Sequence, residues 1–224
     1  HRDLHSFPTR RSSDLVVDVI EIIVPEIEVD FLNDTIDPTI MVPSDMVLEA
    51  TGLFTPVVLG DSIASDFDSG IKTILNNAPE AFSLGVSKVT WIAFDNAGNT
   101  AEGFQTITIN ACGHVYSDYN LIVGTNNDDV LIGTSSDDLI FGLDGDDIIL
   151  GLDGNDCLFG GEGNDVIYGH DGYDTINGDA GNDILKGQSG YDVIYGNSGM
   201  DVIDGGTEND RCYDSINDVI VNCE

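Results

Sequence analysis

The sequence predicts an all-β chain in two unlike parts, a sandwich of short strands followed by a parallel β-solenoid. One observation is a nine-residue period that runs without insertion from residue 124 to residue 213. Another is a series of short β-rich runs, separated by turn clusters, between residues 33 and 110. The third is compositional. Residues 124–213 hold 20 of the 41 Asp+Glu and 19 of the 26 glycines, with only Lys186 and Arg211 as bases. Repetition at a short fixed period announces a solenoid, in which stacked copies bury a core that none can bury alone.

The charge balance excludes several functions. With 7 Lys+Arg against 41 Asp+Glu, the net charge is −34, and the pI is about 4.1. Nucleic acids and anionic membranes require positive charge, so neither is expected as a partner. A hydrophobic fraction of 41% is too high for a disordered acidic tail. No stretch offers the ~20 uninterrupted apolar residues of a membrane span. The run at 16–24, VVDVIEIIV, is broken by Asp18 and Glu21 and followed by Pro25. It reads as a strand.

Residues 1–15, HRDLHSFPTRRSSDL, carry Arg2, Arg10, Arg11 and two of the four histidines, without a hydrophobic period. They lack the apolar h-region of a signal peptide and look like translated sequencing-adapter sequence, so they are set aside as non-native. The remainder reads as the C-terminal fragment of a longer protein. Residues 16–224 carry 39 acids and 4 bases, a net charge of −35. Residues 16–32 read as the end of a preceding module or a linker strand.

Over residues 33–110 the expected strands are Thr39–Val42, Met46–Glu49, Val57–Leu59, Ile71–Leu75, Ser87–Phe94 and Phe104–Ile109. In the run from Val86 to Phe94, alternation puts Val89, Trp91 and Ala93 on one face and Lys88, Thr90 and Ile92 on the other. Asp95-Asn96-Ala97-Gly98-Asn99 is a turn sequence, and the alternating Phe104–Ile109 follows it, which predicts a hairpin. About seven short strands in ~80 residues suggest an immunoglobulin-like β-sandwich with Trp91 in its core. Asp95 and Asn99 read as turn residues stabilised by side-chain hydrogen bonds rather than as a metal or ligand site.

The segment resembles the HYR (hyalin repeat) family of extracellular Ig-like modules. The resemblance rests on Asp37-Pro38-Thr39-Ile40, Val47-Leu48-Glu49-Ala50-Thr51-Gly52, Phe82-Ser83-Leu84-Gly85, and Val89-Thr90-Trp91 through Asp95-Asn96-Ala97-Gly98-Asn99-Thr100. It implies adhesion or spacing, not catalysis.

After a linker at 111–123 come ten nonapeptides: GTNNDDVLI, GTSSDDLIF, GLDGDDIIL, GLDGNDCLF, GGEGNDVIY, GHDGYDTIN, GDAGNDILK, GQSGYDVIY, GNSGMDVID and GGTENDRCY. Position 1 is always Gly and position 6 always Asp. Position 8 is Leu or Ile except for Cys212, and position 4 is Gly in seven. Alternation sends position 8 to one side of a short strand and positions 7 and 9 to the other. Glycines at positions 1 and 4 are expected to supply the positive φ angles of a tight reversal. Two nonapeptides then make one flattened coil, and repeat n stacks on n+2 at about 4.8 Å.

Stacking aligns Asp129, Asp147, Asp165, Asp183 and Asp201 along one edge. Asp138, Asp156, Asp174, Asp192 and Asp210 line the other. Carboxylates so close repel by roughly several kcal/mol when little screened. A hard divalent cation between turns reverses the sign, and Ca²⁺ takes 6–8 oxygen ligands. Softer metals would want Cys or His; His170, at position 2, has no His or Cys partner at ligand spacing.

This pattern, G-G-x-G-x-D-x-U-x, resembles the RTX calcium-binding repeat over all 90 residues. The resemblance implies a parallel β-roll with Ca²⁺ between turns n and n+2. Its ligands would be the position-6 side chains and carbonyls of the turn glycines Gly142, Gly145, Gly151, Gly154, Gly160, Gly163, Gly169, Gly172, Gly178, Gly181, Gly187 and Gly190. Four gaps on each edge allow up to about eight ions. Asn127 and Ser136 at position 4 of the first two repeats, and Glu208, Arg211 and Cys212 in the tenth, mark the ends as divergent.

Outward positions of the early repeats are apolar: Val130, Ile132, Leu139, Phe141, Ile148, Leu150, Phe159 and Tyr168. They are expected to pack against the linker, the sandwich, another surface protein or another copy. The four cysteines favour disulfides and an oxidising, extracellular location. They allow three pairings, of which Cys212–Cys223 would close the last coil and Cys112–Cys157 would tether the linker to the roll. Residues 214–224 read as a C-terminal cap, shorter than the signal that RTX proteins exported by type I systems resemble one another in having.

Neither H-E-x-x-H nor G-x-S-x-G occurs. The first functional expectation is a non-enzymatic, secreted or surface-attached module whose roll folds on binding Ca²⁺, joined to an adhesive spacer. A second is the C-terminal accessory region of an exported protease or lipase with its chemistry upstream. A third is an acidic Ca²⁺ buffer or matrix component.

Overall fold

The computed structural model describes residues 33–213 and 218–224. The readings of residues 1–15 and 16–32 lie outside the described residues.

Among the described residues, the N-terminal region holds eight strands: β1 (Thr39–Met41), β2 (Met46–Glu49), β3 (Phe54–Thr55), β4 (Ile63–Ser65), β5 (Ile71–Asn76), β6 (Phe82–Ser83), β7 (Gly85–Asp95) and β8 (Thr100–Asn110). A four-stranded sheet runs β2-β8-β7-β5, and β1-β4 and β3-β6 form two-stranded sheets. The β7–β8 hairpin pairs from Gly85↔Ile109 to Phe94↔Thr100. Its alternation is realised: Val89, Trp91 and Ala93 are buried, as are Ile107 and Ile109. Trp91 Nε1 donates to Gln105 Oε1 at 3.3 Å, and Gln105 Nε2 donates to the Ser44 carbonyl at 2.8 Å, so this polar pair is satisfied inside the core. The expected strand at Val57–Leu59 does not form. Pro56 lacks an N–H to continue pairing, and the strand lies just before it, at Phe54–Thr55.

The 95–99 turn is held by side chains. Asp95 Oδ1 accepts the N–H groups of Gly98 and Asn99 at 2.6 and 2.8 Å. Its Oδ2 accepts Asn99 Nδ2 at 2.7 Å.

Past a 3₁₀ turn at Tyr116–Asp118, the chain enters a parallel solenoid of about five turns. Its twelve strands are β9 (Asn120–Val123), β10 (Val130–Ile132), β11 (Asp138–Asp144), β12 (Ile148–Asp153), β13 (Cys157–Glu162), β14 (Val166–Asp171), β15 (Thr175–Ala180), β16 (Ile184–Ser189), β17 (Val193–Tyr195), β18 (Val202–Thr207), β19 (Arg211–Tyr213) and β20 (Val219–Val221). The even-numbered strands form one parallel sheet and the odd-numbered strands the other. Neighbours in the repeat array pair at a spacing of eighteen residues, as in Ile149↔Ile167 and Leu158↔Ile176. Position 8 fills the space between the sheets: Ile140, Ile149, Leu158, Ile167, Ile176, Leu185, Ile194 and Ile203 are all fully buried. Ile122 and Leu131 close this column at one end, and Cys212 and Cys223 at the other.

The outward apolar residues divide between two environments. Leu139, Phe141, Cys157 and Phe159 form a buried cluster with Ala111, against which Ala50, Leu53, Leu84 and Tyr119 pack. Phe141 and Phe159 stack with ring centroids 4.8 Å apart. This face therefore seats the N-terminal region. Val130, Ile132 and Ile148, on the opposite sheet, stay exposed. Cys112 bonds to Cys157 and Cys212 to Cys223, with Cα separations of 6.0 and 5.8 Å.

Candidate metal centre

The six-residue reversals between strands bring the position-6 aspartates into two stacks. Except for the partly buried Asp129, all are at most 2% exposed. Each uses its oxygens differently. From the third repeat on, Oδ1 accepts the backbone N–H of the aspartate two repeats earlier. On one edge Asp129 N–H donates to Asp147, Asp147 to Asp165, Asp165 to Asp183, and Asp183 to Asp201, at 2.7–2.8 Å. On the other, Asp138 donates to Asp156, Asp156 to Asp174, Asp174 to Asp192, and Asp192 to Asp210, at 2.8–2.9 Å.

Oδ2 is left over. In Asp147, Asp156, Asp165, Asp174, Asp183, Asp192, Asp201 and Asp210 it is shielded from solvent and has no hydrogen-bond partner. A buried charged oxygen without a partner is costly. Its consequences show in the titration of these groups. Burial, followed by repulsion from Asp192 and Asp156, outweighs the Asp156 N–H and pushes Asp174 up to about 8. Burial, opposed by the ladder hydrogen bond, raises Asp156 and Asp183 to about 7 and Asp165 and Asp192 to about 6. It also raises Asp147, Asp201 and Asp210.

The first two repeats solve the problem internally. Thr125 donates its N–H at 2.6 Å and its hydroxyl at 2.9 Å to Asp129 Oδ2. Thr134 does the same for Asp138, through its N–H and hydroxyl. Their position-2 threonine distinguishes these repeats chemically, a signal in the sequence alongside Asn127 and Ser136.

Positions 1 and 4 are glycine for different reasons. The position-4 glycines have positive φ, from 123° at Gly145 to 153° at Gly199. The glycines at position 1 do not; the expectation for them is corrected. A Cβ on Gly142, Gly151, Gly160, Gly169, Gly178 or Gly187 would strike Oδ2 of the repeat's own aspartate and crowd the position-1 carbonyl two repeats on. At Gly154, Gly163, Gly172, Gly181 and Gly190 it would strike a carbonyl of the turn below. The left-handed residue besides position 4 is position 2, including Leu143, Leu152, His170 and Gln188 at φ 80–85°. His170 lies beside Tyr168, with ring centroids 5.9 Å apart.

Sequence reasoning missed three parts of the edges. Position 5 forms a second ladder of opposite sense: Asn155 N–H donates to Asp137 Oδ1 at 2.7 Å, and Asn164 N–H to Asp146 Oδ1 at 2.7 Å. Seven of the ten position-5 residues are Asp or Asn, which was the available signal. Asn120 stands one coil before Asp138 and donates its amide to Asp138 Oδ1 at 3.0 Å. Asp218 takes the Asp201 N–H at 2.8 Å after a spacing of seventeen rather than eighteen residues, a slip that hides it from the period.

The fold and this site define a parallel β-roll edged by carboxylate ladders. Residues 123–157, 151–185 and 177–212 match the family model described as the RTX calcium-binding nonapeptide repeat (4 copies). These residues are RTX calcium-binding repeats folded as a β-solenoid. The match does not extend to the N-terminal region and so lends no support to the hyalin-repeat resemblance there. No curated protein matches the chain. The donor set fits the ion: the unpaired atoms of the two ladders are all carboxylate oxygens, which suits a hard cation.

Proposed function

We propose that this chain is a non-enzymatic module of an exported protein, in which Ca²⁺ drives folding of the roll and the N-terminal region serves as an adhesive or spacing unit. The observation that carries the reading is the eight shielded Oδ2 atoms without partners, one in each of repeats 3–10. One ion per gap between position-6 aspartates gives up to eight. Asp129 and Asp138 would contribute as the first members of their edges, and the carbonyls of the turn glycines would complete the donor set. Bound Ca²⁺ would supply the counter-charge that the ladders lack, so binding free energy becomes folding free energy.

The immunoglobulin-like reading of the N-terminal region is supported by the β7–β8 hairpin over a Trp91 core. The extracellular reading is supported by two disulfides, which persist in oxidising compartments. Titration calorimetry with circular dichroism tests the proposal. The expected result is binding of up to about eight ions with a gain of β signal; an unchanged spectrum on chelation and re-addition would overturn it.

A further inference from the structure

Outside the roll, three loops of the N-terminal region converge at one end of the four-stranded sheet. Asp34, Asp66 and Asp95 each offer a carboxylate oxygen, and these oxygens lie within 4.8 Å of one another. Asp95 is fully buried, and Asp34 and Asp66 are partly buried. At Asp95 and Asp66 nearby donors favour the charged form. Burial pushes Asp95 up, but the Asn99 side chain and the N–H groups of Asn99, Gly98 and Ala97 outweigh it and hold the carboxyl below the usual range. Burial likewise pushes Asp66 up, but the Ser69 and Gly70 N–H groups and the Ser69 hydroxyl outweigh it and hold the carboxyl below the usual range.

The loops are fastened to each other. Asn99 Nδ2 donates to the carbonyls of Asp34 and Ile36, both at 3.2 Å. Asn96 Nδ2 donates to the Ser69 carbonyl at 2.9 Å. Asp66 Oδ2 accepts Ser69 N–H and Gly70 N–H at 2.7 Å.

One atom is not accounted for. Asp34 Oδ1 accepts Ile36 N–H at 2.9 Å, but Asp34 Oδ2 is shielded from solvent and has no partner. Among the described residues, nine aspartate Oδ2 atoms are in this condition: eight stand on the ladders of the calcium-binding repeats, and the ninth is Asp34. Three like charges within 4.8 Å repel strongly at a poorly solvated site, and among the described residues none of the three forms an ion pair with Lys, Arg or His.

We propose that Asp34, Asp66 and Asp95 form a binding site for a hard divalent cation, Ca²⁺, that pins the 34–36 and 66–70 loops to the 95–99 turn. All the donors are oxygen, and they come from loops rather than from one rigid element, which suits the variable coordination of Ca²⁺ better than the strict octahedron of Mg²⁺. The site is separate from the roll and does not depend on the function proposed for it.

The test uses the full chain. Asp34→Asn keeps the Oδ1 acceptor for Ile36 and removes the charge. Calorimetric titration with Ca²⁺ should give one ion fewer for this variant than for the parent. Unfolding of the N-terminal region, followed by the fluorescence of Trp91, should begin at higher temperature without Ca²⁺, because repulsion is relieved, and should rise less when Ca²⁺ is added. Asp165→Asn, in the roll, should retain the Tb³⁺ emission sensitised by Trp91 that Asp34→Asn loses. As a readout on the unaltered protein, Tb³⁺ should show luminescence sensitised by Trp91, the sole tryptophan, which lies on the same strand as Asp95. Equal stoichiometry and an equal Ca²⁺-dependent shift in parent and Asp34→Asn would overturn the proposal, as would absence of Trp91-sensitised Tb³⁺ emission.

Discussion

The backbone N–H of Asp156 donates to Oδ1 of Asp174 at 2.8 Å, while Asp174 Oδ2 is buried and unpaired. One carboxylate is thus half committed to the backbone of the preceding coil and half available. Asp174→Asn should keep the first role and abolish the second. Calorimetry should count fewer bound ions for this variant, and the roll should be more stable than the parent in chelator and less stable in Ca²⁺. Equal stability in both conditions would refute the division of roles.

Acidity should mimic the cation in part. Asp156, Asp165, Asp174, Asp183 and Asp192 have folded pKa values of about 6 to 8 against an ordinary 3.8. The folded roll therefore binds more protons than the unfolded chain between pH ~4 and pH ~8. Without Ca²⁺, stability should be greatest at the acidic end of that window and fall as pH rises through 6 to 8. With Ca²⁺ the trend should reverse, because protons and ions compete for the same oxygens. Thermal melts across this range with and without chelator measure both slopes.

Gly163→Ala should be severe. Its φ is 137°, and an added Cβ would overlap the Gly145 carbonyl in the coil below. Strain of this kind costs roughly 1–3 kcal/mol, and the steric overlap adds to it. The midpoint of unfolding in Ca²⁺ should fall accordingly, whereas Gly98→Ala, whose Cβ would meet nothing within 4 Å, should be milder.

Phe159→Ala should weaken the junction between the two regions. Phe159 is 6% exposed and stacked on Phe141, so truncation should cost about 3–5 kcal/mol. If the junction couples the regions, this variant with Cys112–Cys157 reduced should show two separate unfolding transitions; a single sharp transition would refute the coupling.

The roll was legible because its period is strict: position 8 told the core and position 6 told the edges before any coordinate. The boundaries were not, since Asn120 replaces the aspartate and Asp218 arrives one residue early, yet Asn120 and the strand that follows Asp218 still join the sheets through backbone pairing that ignores side-chain identity. Position 1 shows another limit. Its invariance was visible, but its cause is a close approach between coils, which composition cannot distinguish from a backbone angle. In the N-terminal region, the hairpin was marked by alternation and the 95–99 turn, whereas the two-residue strands Phe54–Thr55 and Phe82–Ser83 are too short to carry a pattern. Asp34 and Asp66 stand 61 and 29 residues from Asp95 and meet only through the fold.

The position-6 ladder also has an arrow. Every rung runs from an N–H to a carboxylate lying further along the chain, ending with Asp201 and Asp218. Removing coils from the front strips donors and leaves oxygens, which water or a cation can satisfy. Removing coils from the back strips acceptors and strands buried N–H groups, which have no such substitute. The two ends are therefore unequal under truncation, and the vulnerable one is the end that Cys212–Cys223 locks shut.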